Sequence, residues 1–317
     1  MNPRNSTWGF PIIDFHLHLP VEEDFTAEAN AAYIAVHGQD KFAKLRADWL
    51  FYQQQWWDRY GFGTPEQTEH TPQHQAQRWA QEIDQAGIEA GVFVTGGGNH
   101  SLSEAIAEHP RLMGFAHHSP FAPDAAAELR RAVQEEGMRG YKVFAPALPG
   151  PIDHEDLHPV WQVAEDLQIP VLIHFGPLEG GGGTAWHTNI NPLMLHDVAK
   201  AFTYTTFVIP HFGCGYPKEM LHLAWACRNV CVDTSGNNEW VRWMSYRLSL
   251  SDLFTRFYET IGPQRIIFGS DSSWFPRGLV GAYYEEQIAV VDAMGIDDAA
   301  RHQIFYANAA RLLKWHD

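Results

Sequence analysis

Short apolar segments recur along the chain and alternate with longer stretches of helical periodicity. The first segment, 12–19, alternates apolar and polar residues at its end and stops at Pro20, as a strand does. Seven further segments follow, each separated from the next by a helical pattern. Near-continuous apolar strands between amphipathic helices are typical of a parallel sheet. The predicted strands are 12–19, 91–94, 112–116, 140–144, 170–174, 206–211, 230–233 and 265–271.

Helical patterns fill the connections between these strands and close the chain. Eight successive strand–helix units are typical of the (β/α)8 TIM barrel, so we predict an α/β fold of that type, with a doubly wound sheet as the alternative. A barrel of this size folds as one domain, here 1–317. The predicted helices are 73–86, 101–108, 123–136, 157–167, 192–202, 218–226, 250–260, 282–294, 298–306 and 309–315.

One connection is longer than the others. The stretch 22–60, directly after the first strand, is helix-prone and rich in alanine, glutamine and aromatic residues. It exceeds the few residues that usually join a strand to the next helix. We therefore predict a helical insertion over about 20–70.

Composition narrows the class of partner. The chain has 22 Lys and Arg against 38 Asp and Glu, a formal net charge of −16. Such an acidic chain is a poor general binder of nucleic acid or of an anionic membrane, and no apolar run approaches the roughly 20 residues that cross a bilayer. A small molecule is the expected partner.

The cysteines and the N-terminus point to a reducing compartment. Cys214, Cys227 and Cys231 form neither an even disulfide set nor a CxxC pair. The first ten residues lack the pattern of a secretory signal. We expect reduced thiols in a cytoplasmic protein.

Histidine is abundant, with 18 in the chain, and several histidines follow predicted strands. His16 and His18 are spaced i, i+2, so both rings point to one face of the first strand. His174 ends the fifth strand and Asp271 follows the eighth. In a barrel the C-terminal strand ends carry the chemistry. Imidazoles and a carboxylate brought together there suit a divalent metal such as zinc.

Two further strand-end residues have more than one interpretation. His211, at the end of the sixth strand, is either another metal ligand or, with Asp271, the group that moves a proton on a metal-activated water. Lys142, near the end of the fourth strand, is either a carboxylated bridge between two metals, an unmodified binder of a substrate carboxylate, or a lysine whose stem packs. His117 and His118 also follow a strand, and a role in supporting hydrogen bonds is at least as reasonable for them as metal ligation.

Residues that could contact a substrate lie in the insertion and after Asp271. Arginine can bind a carboxylate through two parallel hydrogen bonds, and tryptophan offers a flat apolar face. The four glycines 180–183 follow the fifth strand and would form a mobile lid or a plain flexible loop. The substrate-binding hypotheses are Arg46, Arg59, Arg277 and Trp57.

An ordered set of motifs running from the first strand to the C-terminus resembles the amidohydrolase superfamily. The resemblance is greatest to the branch that holds aminocarboxymuconate-semialdehyde decarboxylase and predicted metal-dependent hydrolases. Each motif alone is weak, but their order covers most of the chain. The matching stretches are 13–18, 140–143, 169–174, 209–213, 229–236, 267–271 and 308–313.

The resemblance implies a distorted barrel with the insertion as part of a cap. It implies one zinc held by His16, His18, His174 and Asp271, with His211 beside it as an acid or base. A second metal would be present if Lys142 were carboxylated, as in other members of the superfamily. It also suggests a homodimer.

Two reactions remain open on this constellation. The leading hypothesis is a metal-dependent hydrolase that attacks a carbonyl group of a small, carboxylate-bearing substrate. The alternative is a metal-dependent decarboxylase of an unsaturated or aromatic acid, because the fold does not choose between them. A metal-binding protein without catalysis is less favoured, since all the expected positions are present. A metal-free lactonase is a further, weaker alternative, since some relatives work without a metal.

Overall fold

The computed structural model describes residues 8–21, 27–68, 70–178 and 187–316. It consists of parallel strands that alternate with helices. The predicted lid glycines 180–183 and part of the predicted insertion, 22–26, lie outside the described residues. Strand residues are almost all buried, as the apolar runs predict. The strands are β1 (Ile13–His18), β2 (Ala90–Thr95), β3 (Leu112–Gly114), β4 (Ala116–His117), β5 (Tyr141–Phe144), β6 (Val171–His174), β7 (Phe207–Ile209), β8 (Val230–Asp233) and β9 (Ile266–Ile267).

The strands pair in sequence order as two parallel sheets, β1-β2-β3 and β4-β5-β6-β7-β8-β9. Only Phe115 separates β3 from β4, and its N–H donates to the Phe93 carbonyl at 2.9 Å. At the other edges, Phe15 N–H donates to the Phe268 carbonyl at 3.1 Å and Leu17 bridges Ser272 in parallel. These contacts join the first strand to the last. Strands that pair in sequence order, with the first strand joined to the last, form a barrel and not a doubly wound sheet.

Helices follow the strands in the predicted alternation. No helix in the described ranges is both long and apolar enough to cross a membrane. The helices are α1 (Ala27–His37), α2 (Gln39–Tyr60), α3 (Pro72–Ala86), α4 (Asn99–Ile106), α5 (Ala125–Gln134), α6 (His158–Leu167), α7 (His196–Ala201), α8 (Pro217–Ala226), α9 (Leu250–Ile261), α10 (Gly281–Ala293), α11 (Asp298–His302) and α12 (Asn308–Leu313), with a π-helical turn Gln303–Ala307 before α12.

Two apolar clusters support the barrel. The larger one joins the outward strand faces to the helices around them, with Trp79, Trp161 and Phe254 fully buried. The smaller one combines residues of the strands with Leu312 and Leu313 of α12. The three cysteines are free and buried in the described chain. The core therefore holds the strand ends rigidly, and those ends carry the site.

The insertion after β1 consists of α1 and α2, separated by Gly38, whose φ of 87° suits glycine. No residue of α2 is buried. Its C-terminal end packs against two loops at the C-terminal ends of the strands. Trp57 lies 5.4 Å from Trp274 and Trp56 lies 6.2 Å from Trp243, measured between ring centroids. We call α1, α2 and the following residues 61–66 the cap.

Some predicted strand ends are shorter in the structure. β7 ends at Ile209, and His211 begins a single 3₁₀ turn, His211–Gly213, instead of ending the strand. β9 spans only Ile266–Ile267. The polar residues that follow β7 and β9 form hydrogen bonds outside the sheet, so strand pairing stops at the ends of these two strands.

Candidate metal centre

Two histidines of β1 face the same space, as their spacing predicts. His16 is fully buried and His18 is partly exposed, and their ring centroids lie 5.2 Å apart. Asp271, just past β9, places Oδ1 3.5 Å from His16 Nε2 and 3.1 Å from His18 Nε2. One ligating atom from each residue lies within 4.8 Å of the others. This group could hold a metal ion.

The backbone brings Asp271 to this position. Its N–H donates to the His16 carbonyl at 2.9 Å, and its φ is 59°. Asp14, two residues before His16, supports the same junction by accepting from the Ser270 N–H at 3.0 Å and from the Ser270 hydroxyl at 2.5 Å. Burial raises the pKa of Asp14 to about 6, although these hydrogen bonds oppose the shift. The first and last strands are thus joined at the site itself.

Asp271 is held as a carboxylate. Burial alone would raise its pKa, but the hydrogen bond with His18 and the proximity of His211 and His16 outweigh burial and hold the pKa well below its usual range. Burial lowers the pKa of His16 to about 4, with Asp233 opposing. The pair is therefore an anionic oxygen beside a neutral imidazole, which is the form that binds a metal.

Each of three histidines uses Nδ1 for a partner outside the cluster. His16 Nδ1 donates to Asp233 Oδ2 at 2.7 Å, His18 Nδ1 lies 2.7 Å from Thr95 Oγ1, and His211 Nδ1 donates to the Ser235 carbonyl at 3.0 Å. These contacts orient the rings and leave Nε2 for the centre, as partners of metal-binding histidines do.

Asp233, Thr95 and Ser235 are partners of the histidines that the sequence motifs alone do not predict. Asp233 ends β8 and Thr95 ends β2, so the rule that strand ends carry the chemistry would have found both. Ser235 carries no such signal, because its role depends on the turn after β8. Its hydroxyl lies 3.1 Å from His16 Nδ1 and 3.0 Å from His211 Nδ1.

His174 and His211 complete a row of imidazoles. Their ring centroids are 5.1 Å apart, and His211 is 5.2 Å from His16. His174, at the end of β6, is buried, and its Nε2 has no hydrogen-bond partner in the described chain. Burial, with His211 and Lys142 nearby, holds the pKa of His174 well below its usual range. A neutral imidazole with an unsatisfied buried nitrogen fits a metal ligand.

The backbone beyond β7 is unusual over five successive residues. His211, Phe212, Gly213, Cys214 and Gly215 all have positive φ, from 42° to 92°. This conformation is costly for residues with a side chain, and such strain clusters at functional sites. Here it turns the His211 ring toward the other histidines.

Lys142 on β5 is fully buried, and its Nζ has no hydrogen-bond partner among the described residues. The ammonium lies 4.5 Å from the ring centroid of Phe144. Burial lowers the pKa of Lys142 to about 7, while Asp271 and Asp233 act in the opposite direction. The lysine thus places an unsatisfied donor beside the histidine row.

His117 and His118 belong to the supporting structure in the described chain. His117 Nδ1 lies 3.0 Å from the Lys142 carbonyl, and His118 Nε2 lies 3.0 Å from the Ala125 carbonyl. Burial lowers the pKa of His118. These contacts match the supporting interpretation better than metal ligation.

The four predicted substrate-contacting residues lie in two places. Arg46 and Arg59 are exposed on α2. Trp57 packs on Trp274, and Arg277 contacts Trp274 as well, at 4.9 Å from its ring centroid. Only Trp57 and Arg277 therefore lie at the junction of the cap with the loop after β9.

A family model described as Amidohydrolase matches residues 13–315. The chain belongs to this amidohydrolase family. The match runs from β1 to the end of α12, so it includes every residue of the histidine row, Asp271 and Lys142. Membership makes the protein an enzyme of a metal-dependent superfamily, and the His16, His18 and Asp271 group fits that requirement.

Three relatives are representative. A 2-keto-4-carboxy-3-hexenedioate hydratase of Sphingobium sp. is 24% identical over 242 residues, covering 68% of this chain and 69% of that protein. A 5-carboxyvanillate decarboxylase of Novosphingobium aromaticivorans, complexed with manganese, superposes with a TM-score of 0.63 at 14% identity, covering 98% and 97% of the two chains. A 2,6-dihydroxybenzoate decarboxylase from Rhizobium gives 0.61 at 18% identity, covering 97% and 99%. At these identities the solved structures show the fold alone.

Proposed function

We propose that this amidohydrolase family member is a metal-dependent decarboxylase of an aromatic or unsaturated carboxylic acid. The observation that carries the proposal is that three neighbouring buried nitrogens, His16 Nε2, His174 Nε2 and Lys142 Nζ, have no hydrogen-bond partner among the described residues. Leaving such groups without partners is costly, so a ligand is expected to satisfy them. The relatives named above, which are decarboxylases and a hydratase of carboxylic acids, support a lyase over the hydrolase that the sequence favoured.

The metal would be held by His16, His18, His174 and Asp271. The two Nε2 atoms without partners and the ionised Asp271 fit a divalent cation, and we propose zinc, one per chain, because imidazole-rich sets suit it. Such an ion supplies Lewis-acid stabilisation of negative charge on substrate oxygens when bound.

Lys142 is proposed to bind the carboxylate that is lost. Its Nζ is buried beside the histidine row and lacks an acceptor among the described residues, which a substrate oxygen would supply. The amine would donate a hydrogen bond whether it is charged or neutral. In this interpretation the side chain of Lys142 is not carboxylated.

His211 is proposed to move the proton. Its Nδ1–H is fixed by the Ser235 carbonyl, so Nε2 faces the other histidines and can take up or release a proton there. Decarboxylation breaks the bond between the carboxyl group and carbon, releases carbon dioxide and requires one proton at that carbon. Asp271 is the second group within reach of the same space.

The test is release of carbon dioxide by metal-loaded protein from a panel of hydroxybenzoates and unsaturated dicarboxylates. We expect release that stops with a chelator and is lost in His174→Ala. The matched control is His196→Ala, a partly exposed histidine at the start of α7 that pairs with Asp197. Release that is unchanged in His174→Ala, or no release from any acid of the panel, would contradict the proposal.

A hydrolase is the second candidate, favoured by the position of Asp271. Its Oδ1 lies 3.5 Å from His16 Nε2 and 3.1 Å from His18 Nε2, so a water at the centre would lie within reach of the carboxylate, which would accept its proton. Turnover of lactones or esters by the same preparation, without gas release, would favour this candidate over the decarboxylase.

A further inference from the structure

Arg277, in the loop after β9, has its guanidinium group surrounded by aromatic rings. Its Cζ lies 4.5 Å from the ring centroid of Phe62, 4.9 Å from that of Trp274 and 5.5 Å from that of Tyr283. The three rings come from the cap, the loop after β9 and α10. Cation–π contacts of this kind hold the group in place but supply no full counter-charge.

The guanidinium forms no ion pair with any Asp or Glu of the described ranges. Its one hydrogen bond within them runs from Nη2 to Tyr283 Oη at 2.9 Å, which leaves several of its five N–H donors available. The other half-buried arginines of the described chain all have acceptors that offset their charge: Arg78 with Glu66, Arg111 with Asp84, Arg130 with Asp166, Arg131 with Glu128 and Glu136, Arg301 with Asp292 and Asp298, and Arg265 with backbone carbonyls.

The position of Arg277 relates it to the metal centre. Tyr283, its hydrogen-bond partner, interacts electrostatically with Asp271 and with Glu239. Trp274 is three residues beyond Asp271, and it joins the loop to the cap by donating from Nε1 to the Gly63 carbonyl at 3.0 Å. Trp57 lies on the other side of Trp274. The cap side of the centre therefore combines one cation without an acidic partner and partly exposed, flat apolar faces.

We propose that Arg277 anchors a second carboxylate of the substrate, held away from the group that reacts at the metal centre. The guanidinium edge would bind this carboxylate through paired hydrogen bonds, and the aromatic rings would contact a flat conjugated frame. The substrate class is then an aromatic or conjugated dicarboxylate. Calling the ligand a substrate rests on the proposed function, whereas the carboxylate site itself does not.

The test is binding of isophthalate to metal-free protein, measured by isothermal titration calorimetry, with neutral isophthalamide as the matched probe. Arg277→Met keeps the apolar stem and removes the charge, and Arg277→Lys keeps the charge and loses the planar fork. The control is Arg242→Met, because Arg242 also lies over a cap ring, 5.1 Å from the Tyr60 centroid, but already pairs with Glu239.

We expect Arg277→Met to weaken isophthalate binding about tenfold or more, which matches the usual strength of a hydrogen bond to a charged group. Isophthalamide binding should not change, Arg277→Lys should be intermediate, and Arg242→Met should bind isophthalate like the original chain. Equal loss of both probes in Arg277→Met would show that the arginine only holds the cap, and would overturn the proposal.

Absence of isophthalate binding to the original chain would overturn it too. Because no turnover is measured, these results are independent of carbon dioxide release. A charge-selective loss without any decarboxylation would retain the carboxylate site and reject the proposed reaction. Decarboxylation without a charge-selective loss of isophthalate binding would retain the proposed reaction and reject the carboxylate site.

Discussion

The binding properties of the centre depend on single residues at the strand ends. Among them, Asp233 is the residue whose effect on metal affinity is easiest to measure separately. It accepts from His16 Nδ1 at 2.7 Å and from the Ser235 N–H at 2.6 Å. Burial raises its pKa, but His16, His211 and Ser235 together more than offset this, and the net pKa lies below the usual value. Asp233 thus fixes the His16 ring from the Nδ1 side, away from the Nε2 that faces the centre.

We predict that Asp233→Asn lowers metal affinity about 10- to 100-fold while the chain stays folded, because partners of ligating histidines have effects of this size. Competition with a fluorescent chelator measures the affinity, and circular dichroism checks the fold. Asp166→Asn, which alters an exposed pair with Arg130, is the control and should not change the affinity. Equal metal affinities of Asp233→Asn and the original chain would show that Asp233 does not support metal binding.

Lys142 leads to a second prediction, which concerns the number of metal ions bound by each chain. In the described ranges one group of three or more His, Cys, Asp or Glu ligands lies within 4.8 Å, formed by His16, His18 and Asp271, and one such group suits a single ion. We expect elemental analysis to find about one divalent ion per chain and intact mass spectrometry to show no added carboxyl group. Lys142→Met should still bind one ion. Two ions in the original chain and one in this variant would instead establish a carboxylated bridge.

At the scale of elements, the site depends on how the turn after β7 packs against the one after β6. Gly176 follows His174 by two residues and has a φ of 84°. A Cβ at this position would lie 2.4 Å from the Cys214 carbonyl oxygen, which is backbone and cannot swing away. The turn that carries His211 therefore needs glycine at 176.

We predict that Gly176→Ala lowers the free energy of unfolding by more than Gly137→Ala does. Both glycines have positive φ, which costs an alanine about 1–2 kcal/mol, but a Cβ at Gly137 meets nothing within 4 Å. Urea unfolding of the metal-free variants measures the difference. Similar losses in the two variants would mean that the turns can separate without cost.

The elements were largely predictable because each strand is a short apolar run between helical patterns. All eight predicted strands are present, although the third is interrupted at Phe115 and divides into β3 and β4. The residues after β7 and β9 were assigned to strands because they directly follow the apolar runs 207–209 and 266–268. Periodicity does not show where hydrogen-bond pairing stops, which depends on Asp14, Ser270 and the turn at His211.

The centre was predictable to a lesser degree. Strand-end position identified His16, His18, His174, His211, Lys142 and Asp271. The structure brings ligating atoms of His16, His18 and Asp271 within 4.8 Å of one another, sets the ring of His211 beside those of His16 and His174, and buries Lys142. Their roles remain predictions, as does the extent of the domain. Arg46 and Arg59 were suggested on different grounds, as arginines of the insertion that could bind a carboxylate, and they stay predictions because the sequence does not show which face of an inserted helix turns toward the centre. Ser235 could not be found, since its contacts depend on a turn and not on a pattern.

At the scale of the whole molecule, the cap leaves an apolar surface uncovered. Val36 is 76% exposed, and Leu45, Leu50, Phe51 and Tyr52 are each between 47% and 58% exposed. These are five of the ten large apolar side chains exposed in the described ranges. A 22-residue helix without a buried residue gains little from intrinsic propensity in water, so α2 needs contacts beyond those of its C-terminal end.

A second copy of the chain is the partner that we expect on this surface, in agreement with the homodimer that the resemblance suggests. Patches of exposed apolar side chains on one segment mark interfaces, and a two-fold dimer would pack the same segment against itself. We predict that sedimentation equilibrium gives a dimer and that Phe51→Glu shifts it to monomer by placing charges in the interface. Trp225→Glu, at a 73% exposed position on α8, is the matched control and should leave the dimer intact. A monomeric original chain, or equal dissociation by both variants, would exclude α2 as the interface and leave its apolar side chains to some other contact.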